Sequence, residues 1–183
     1  MIPSEGEALG LHRKYGSNER TIRHCQIVAK VAIVLAGEFR QREHPVDIEA
    51  VTAAALLHDI GRSRTQTVWH GEVGSKILEE EGVDPKVVEM VRKHVGAGIS
   101  ASEAQRFKLP NHDYIPGTLE ERIVCFSDKV VSSDKVQPFE EEARRFRLKS
   151  HDVERLIELK KGLQEELGED PEKVISEKIK ESH

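Results

Sequence analysis

From 18 to 39 the apolar residues Ile27, Val28, Val31 and Leu35 recur at helical spacing, and the same stripe carried backwards takes in His24. A helix here turns His24 inward. The pattern breaks at Glu43 to Pro45, and Asp47 reads as the N-cap of a second helix through Val51, Ala54 and Ala55 to His58 and Asp59, stopped by Gly61. Residues 62–66 form a polar loop. Thr67 then caps a helix from Val68 to Glu81 that ends at Gly82 and carries His70 in its first turn. Asp84-Pro85 opens another, whose apolar face Val87, Val88, Val91 and Val95 includes His94. Gly96-Ala97-Gly98 ends it.

Two capping boxes follow. Ser100 with Glu103 opens a short helix to Phe107, and Thr118 with Glu121 opens a longer one through Ile123, Val124, Cys125 and Val131. Asp128 falls on the apolar face of the second, where an acid requires a partner. A proline-bordered loop over 109–117 separates the two helices. Beyond Ser133 the chain becomes more charged. Val153, Leu156, Ile157, Lys160, Leu163 and Leu167 mark an amphipathic helix, and Pro171 starts a last one through Val174, Ile175 and Ile179. Residues 1–16, with Gly6, Gly10 and Gly16, show little periodicity and read as loosely ordered. The expected organisation is a lead-in over 1–17, a domain over 18–135, and a helical extension over 136–183. The extension would dock on the domain or join copies of the chain into a homo-oligomer.

Composition agrees with an all-α domain: of 183 residues, 33% are charged and only 4% aromatic. A net charge of -5 argues against an extended nucleic-acid surface and leaves a small anionic substrate open. No apolar run approaches the roughly 20 residues of a membrane span, and the N-terminus lacks the apolar core of a signal peptide, so the expected location is the cytoplasm. Cys25 and Cys125 are far apart and read as reduced core residues.

Chemistry concentrates in His24, His58, Asp59, His70, His94 and Asp128. Imidazole and carboxylate donors without thiolate suit Fe, Mn, Co, Ni, Zn or Mg. A lone histidine on an apolar face is more often a hydrogen-bonded core residue than a ligand; the whole set weighs against that bland reading here. His70 retains an alternative as a helix-start residue that touches substrate, which would leave one metal. Arg62 and Lys129 are candidate phosphate-holding and catalytic cations, although such residues are more often solvated charges. His112 and Asp113 in the proline-bordered loop are candidates to contact or protonate a leaving group. Glu72 reads as stabilising the first turn of its helix. His12, His44, His151 and His183 fit no inward stripe and read as surface residues, and Arg144, Arg145 and Arg147 as a solvated face paired with Glu140 to Glu142.

The order His24, then His58-Asp59 within a literal His-Asp-Ile-Gly, then Asp128 resembles the HD-domain phosphohydrolases of the HDIG subgroup. The intervening His70 and His94 resemble the binuclear members, including the diadenosine tetraphosphate hydrolases. The Leu-Pro-x-x-Asp-Tyr-x-Pro loop resembles an archaeal HD group. A more distant resemblance is to the cyclic-dinucleotide phosphodiesterases of the HD-GYP type, but Gly96-Ala97-Gly98 stands after His94 where those carry their GYP motif, which counts against cyclic dinucleotides. The resemblance implies an HD-domain helical bundle in which His24, His58, Asp59 and Asp128 hold one divalent metal. His70 and His94 would hold a second, with Asp59 bridging. It also implies hydrolysis of a phosphoester or phosphoanhydride, of a nucleotide above all, by a metal-activated hydroxide. A di-iron oxygenase and a non-catalytic nucleotide-binding or signalling module are the competing readings.

Overall fold

The computed structural model describes residues 1–148 and 152–181, so the expectations for His151 and His183 lie outside the described residues. Helix α2 (Glu19–Gln41) is the axis of the molecule. Asn18 caps it, its side chain accepting from the Thr21 N–H at 2.9 Å. Its buried face, with Cys25, Val28, Val31, Leu35 and Phe39, lies against α3 (Ile48–Leu57). Ala50, Ala53, Ala54 and Ala55 let the two backbones approach closely. Helices α5 (Pro85–Lys93) and α7 (Leu119–Lys129) also pack on α3, and α4 (His70–Glu80) packs on α5. Both expected capping boxes form, Ser100/Glu103 opening α6 (Ala101–Arg106) and Thr118/Glu121 opening α7.

Five local expectations are corrected. Residues 5–14 form a helix, α1 (Glu5–Lys14), opened by a Ser4/Glu7 capping box and packed on α3. Gly6 and Gly10 have open space around them. The buried residues of α1 are only Ala8 and His12, too few to make a visible apolar stripe. His12 is therefore a core residue and not a surface one. Its burial is tolerable because Nδ1 meets Ser17 Oγ and Nε2 meets the Leu56 carbonyl, both at 2.8 Å. Helix α3 stops at Leu57, so His58 and Asp59 sit in a turn before a single 3-10 turn, Ile60–Ser63. Helix α4 starts at His70 instead of Val68. Val131 lies beyond the end of α7, in a two-residue strand β1 (Val131–Ser132) paired antiparallel with β2 (Lys135–Val136).

The extension comprises α8 (Phe139–Leu148), α9 (Val153–Leu167) and α10 (Pro171–Glu181). Its inward stripe is Leu156, Leu159, Leu163 and Leu167, whereas Ile157 is 42% exposed. Lys160 pairs with Asp170 at 3.2 Å and with Glu172. Helix α9 packs on α7 and α10 on α2, and their buried side chains belong to the same core as those of α2 and α3. Leu163→Ala is accordingly expected to cost about 2–5 kcal/mol in denaturant unfolding. An extension docked loosely outside the core would show almost no loss. Among the described residues no helix is long and apolar enough to cross a membrane.

Candidate metal centre

The turn after α3 places His58 and Asp59 at the middle of a cluster fed by four other elements. His24 comes from α2, His70 from the start of α4, His94 from the end of α5 and Asp128 from α7. The six residues expected to be ligands are thus brought together. Donor atoms of His24, His58 and Asp59 lie within 4.8 Å of one another, and so do those of Asp59, His70 and His94. Asp59 is common to both groups.

Backbone carbonyls set the orientation of every ring. Nδ1–H donates to a carbonyl in each case: His58 to Ala55 at 2.8 Å, His70 to Thr67 at 2.7 Å, His94 to Val91 at 2.6 Å and His24 to Ser133 at 3.0 Å. The Nε2 atoms are left to face the centre, as in imidazoles oriented for metal binding. His58 Nε2 and Asp59 Oδ1 are buried without a hydrogen-bond partner. His70 Nε2 and His94 Nε2 lie 3.1 Å apart, and Asp59 Oδ1 is 3.3 Å and 3.5 Å from them. Burial, reinforced by the neighbouring imidazole, lowers the pKa of His70 to about 3. Burial also lowers that of His94. Two neutral rings whose only N–H groups point at carbonyls have no proton to share across 3.1 Å. Their facing lone pairs repel unless a cation lies between them.

The other half of the cluster is charge-paired. His24 Nε2 meets Asp128 Oδ1 at 2.9 Å, and Lys129 Nζ bonds the other carboxylate oxygen. Burial raises the Asp128 pKa, but Lys129, the hydrogen bond with His24 and the nearby His58 ring outweigh it and hold the group well below the carboxylate range. Asp59 is held down similarly: burial is opposed by His58, His94, His70 and Arg62, whose Nε lies 2.7 Å from Asp59 Oδ2. Burial lowers His58, yet Cys25 and Asp59 raise it well above the ordinary value. A cation taken up here displaces that proton.

Arg62, Lys129, His70 and Asp128 line a cleft of about 850 Å³, counting the solvent at its mouth. Its far wall is the extension, through Arg145 and Phe146 of α8 and Arg155 of α9. Arg155 reaches the Gly98 carbonyl at 2.8 Å and Glu103 at 2.9 Å, tying α9 to the loop that follows His94. Sequence reading missed this wall; a charge run with its own glutamate partners, Arg144–Glu141 and Arg147–Glu140, gives no sign that Arg145 also faces a cleft. His112 and Asp113 are exposed and do not line the cleft; Asp113 lies 3.7 Å from Lys93 Nζ. Glu72 does lie in the first turn of α4, and it has long-range partners as well. It is buried, accepts from Tyr114 OH at 3.1 Å, and lies 3.4 Å from Arg92 Nε. His44 is half-buried, its Nε2 3.1 Å from the Glu166 carbonyl.

Known proteins share both the sequence and the fold. The chain is 38% identical over 176 residues to the tRNA (cytidine(56)-2'-O)-methyltransferase of Thermoplasma volcanium, a match covering 95% of this chain and 51% of that protein. An uncharacterized protein of Methanocaldococcus jannaschii is 40% identical over 129 residues, covering 70% of this chain and 76% of its own. The chain spans about half or less of the length of the methyltransferases it matches. The HD domain of the Listeria monocytogenes phosphodiesterase PgpH superposes with a TM-score of 0.61 at 17% identity, covering 94% of this chain and 99% of that one. The same domain in complex with cyclic-di-AMP gives 0.56 at 16% identity, covering 86% and 93%. The sequence profile of the HD domain matches residues 21–133, the stretch that carries all six clustered residues. This chain therefore belongs to the HD-domain family.

Proposed function

We propose that this protein is a metal-dependent phosphohydrolase that cleaves a phosphoester or phosphoanhydride, with a nucleotide as substrate. The observation that carries the reading is the 3.1 Å approach of the His70 and His94 Nε2 atoms beside the unpartnered Asp59 Oδ1. His24, His58, Asp59 and Asp128 are the donors for one divalent cation, and Asp59, His70 and His94 those for a second. Such cations supply a water that ionises near neutral pH and positive charge for the phosphoryl oxygens. The chain's own contribution is position. Arg62 lies against Asp59 Oδ2 with its guanidinium lining the cleft, and Lys129 lies at the Asp128 carboxylate, so both place positive charge where phosphoryl oxygens approach the donors.

Support from relatives is at the level of the reaction class. PgpH is named a phosphodiesterase and its HD domain is described with a cyclic dinucleotide, which fits a nucleotide reading. The match covers only 51% of the Thermoplasma methyltransferase, so the activity in that name does not pass to this chain.

The test is phosphate or alcohol release from nucleotides, dinucleoside polyphosphates and simple esters, with Mn, Fe, Co, Ni, Zn and Mg supplied in turn and metal content measured in parallel. Turnover with at least one cation, abolished by chelation, is expected; none with any cation overturns the reading. Replacing His94 by alanine should halve the bound-cation content while leaving the His24–His58–Asp128 group loaded. Unchanged content would reduce the site to a single metal.

A further inference from the structure

The donor cluster opens into two clefts, and Arg62 lines both. The first, under the extension, has His70 and Asp128 at its inner end. The second has His24 and Asp59 at its inner end, with Asn18, Arg20, Thr21 and Gln66 along its walls. Counted with the solvent at their mouths, they measure about 850 Å³ and 730 Å³.

Their linings differ in kind. The cleft under the extension carries Val68, Val95, Ile99, Phe107 and Phe146. Its cations apart from Arg62 are matched by acids in the same lining: Lys129 by Asp128, Arg145 by Glu142 at 3.3 Å, and Arg155 by Glu103 at 2.9 Å and Asp152 at 2.7 Å. A further phosphate placed there would find no unpaired cation, since Arg62 is itself paired with Asp59, whereas a flat neutral group would cover the apolar side chains. The second cleft has no aliphatic or aromatic carbocyclic side chain in its lining, and its two arginines face one acid, Asp59. Arg20 donates to Ser133 Oγ at 3.0 Å and, among the described residues, has no carboxylate within ion-pair distance. This cleft suits a hydroxylated or anionic group.

We propose that the two clefts are subsites for the two arms of a phosphodiester. The scissile phosphate sits at the donor cluster beside Arg62, a nucleoside arm lies under the extension, and a hydroxylated or phosphorylated arm lies along Arg20 and Gln66. This rests on the phosphohydrolase reading above and narrows its substrate class. In the reaction the water oxygen bonds to phosphorus and the P–O bond to one arm breaks. The departing oxygen takes one proton of the water, the other is released, and the products are a phosphomonoester and an alcohol. A phosphomonoester has one arm and would occupy one cleft only.

The experiment compares bis(p-nitrophenyl) phosphate and a dinucleoside monophosphate with p-nitrophenyl phosphate, using metal-loaded full-length protein and the variants Gln66→Trp and Arg20→Ala. Gln66 and Arg20 are both exposed, so folding is little affected by either change. Wild type should prefer the diesters. Gln66→Trp, which fills the polar cleft, should lower the ratio of diester to monoester kcat/KM at least about tenfold. It should also weaken calorimetric binding of a phosphorothioate-linked dinucleotide, and Arg20→Ala should do so in a salt-dependent way. If wild type hydrolyses the monoester and neither diester, or if both variants leave the ratio and the binding unchanged, the two-arm assignment is wrong while the phosphohydrolase reading stands. If nothing is hydrolysed with any cation, both fall.

Discussion

Asp59→Ala is expected to abolish turnover, by on the order of 10⁴-fold or more, and to strip bound cations from the protein without unfolding it. Asp59 is the one donor common to both ligand groups. Its Oδ1 lies between His70 and His94, and its Oδ2 lies 3.7 Å from His58 Nε2 and 2.7 Å from Arg62 Nε. Removing it takes away a negative charge that both cations would share and leaves four imidazoles with Asp128 as the remaining acid. The fold should persist. Asp59 sits in the turn between α3 and the 3-10 turn, where alanine is tolerated, and its ion-pair partner Arg62 is 33% exposed and can turn into solvent. Metal content by emission spectrometry, steady-state kinetics and far-UV circular dichroism together separate loss of the site from loss of the protein. Asp59→Asn keeps the shape and removes the charge, so it should fail almost as completely. Retention of both cations and turnover in either variant would show that the centre lies elsewhere.

The parts of this arrangement that were legible in the sequence are those written locally. Capping residues at Asp47, Ser100 and Thr118, and the Asp84-Pro85 start, place four helices because each acts within a few residues of itself. Apolar stripes turn His24 and His94 inward for the same reason. What failed depends on partners distant in the chain. Helix α1 is hidden because its inner face is mostly a histidine satisfied by the Leu56 carbonyl, 44 residues away. Glu72 reads only as an acid stabilising the first turn of its helix because nothing nearby reveals its contacts with Arg92 and Tyr114. The cleft wall built by α8 and α9 is held through Arg155 and Gly98, 57 residues apart, and no periodicity carries that contact. Ile157 and Leu159 lie only two residues apart, and their exchange of roles shows how little a stripe fixes without knowing what it packs on.

Gly61→Ala should rank next in effect, through stability and site geometry together. Gly61 was expected to stop a helix, yet its φ is not in the left-handed region that helix-ending glycines favour. The reason for glycine is the approach of α4. A Cβ at this position would overlap the His70 carbonyl oxygen and lie 2.7 Å from the Gly74 nitrogen and 2.9 Å from the His70 carbonyl carbon. All three are backbone atoms, so no rotamer change relieves them and the N-terminal turn of α4 must move. Forced overpacking costs about 1–3 kcal/mol and occasionally more, and an overlap with rigid backbone belongs at the upper end. For a chain of this length about 3 kcal/mol corresponds to a Tm lowered by roughly 6–12 °C. The displacement also carries His70, the first residue of α4, away from His94 and Asp59. The variant should therefore lose the cation of the Asp59–His70–His94 group even at temperatures where it is fully folded, while the His24–His58–Asp128 group stays loaded. Thermal unfolding with and without added metal, together with metal content at low temperature, reads both effects. A variant with wild-type Tm and full metal content would mean that α4 does not lean on Gly61 as the structure has it.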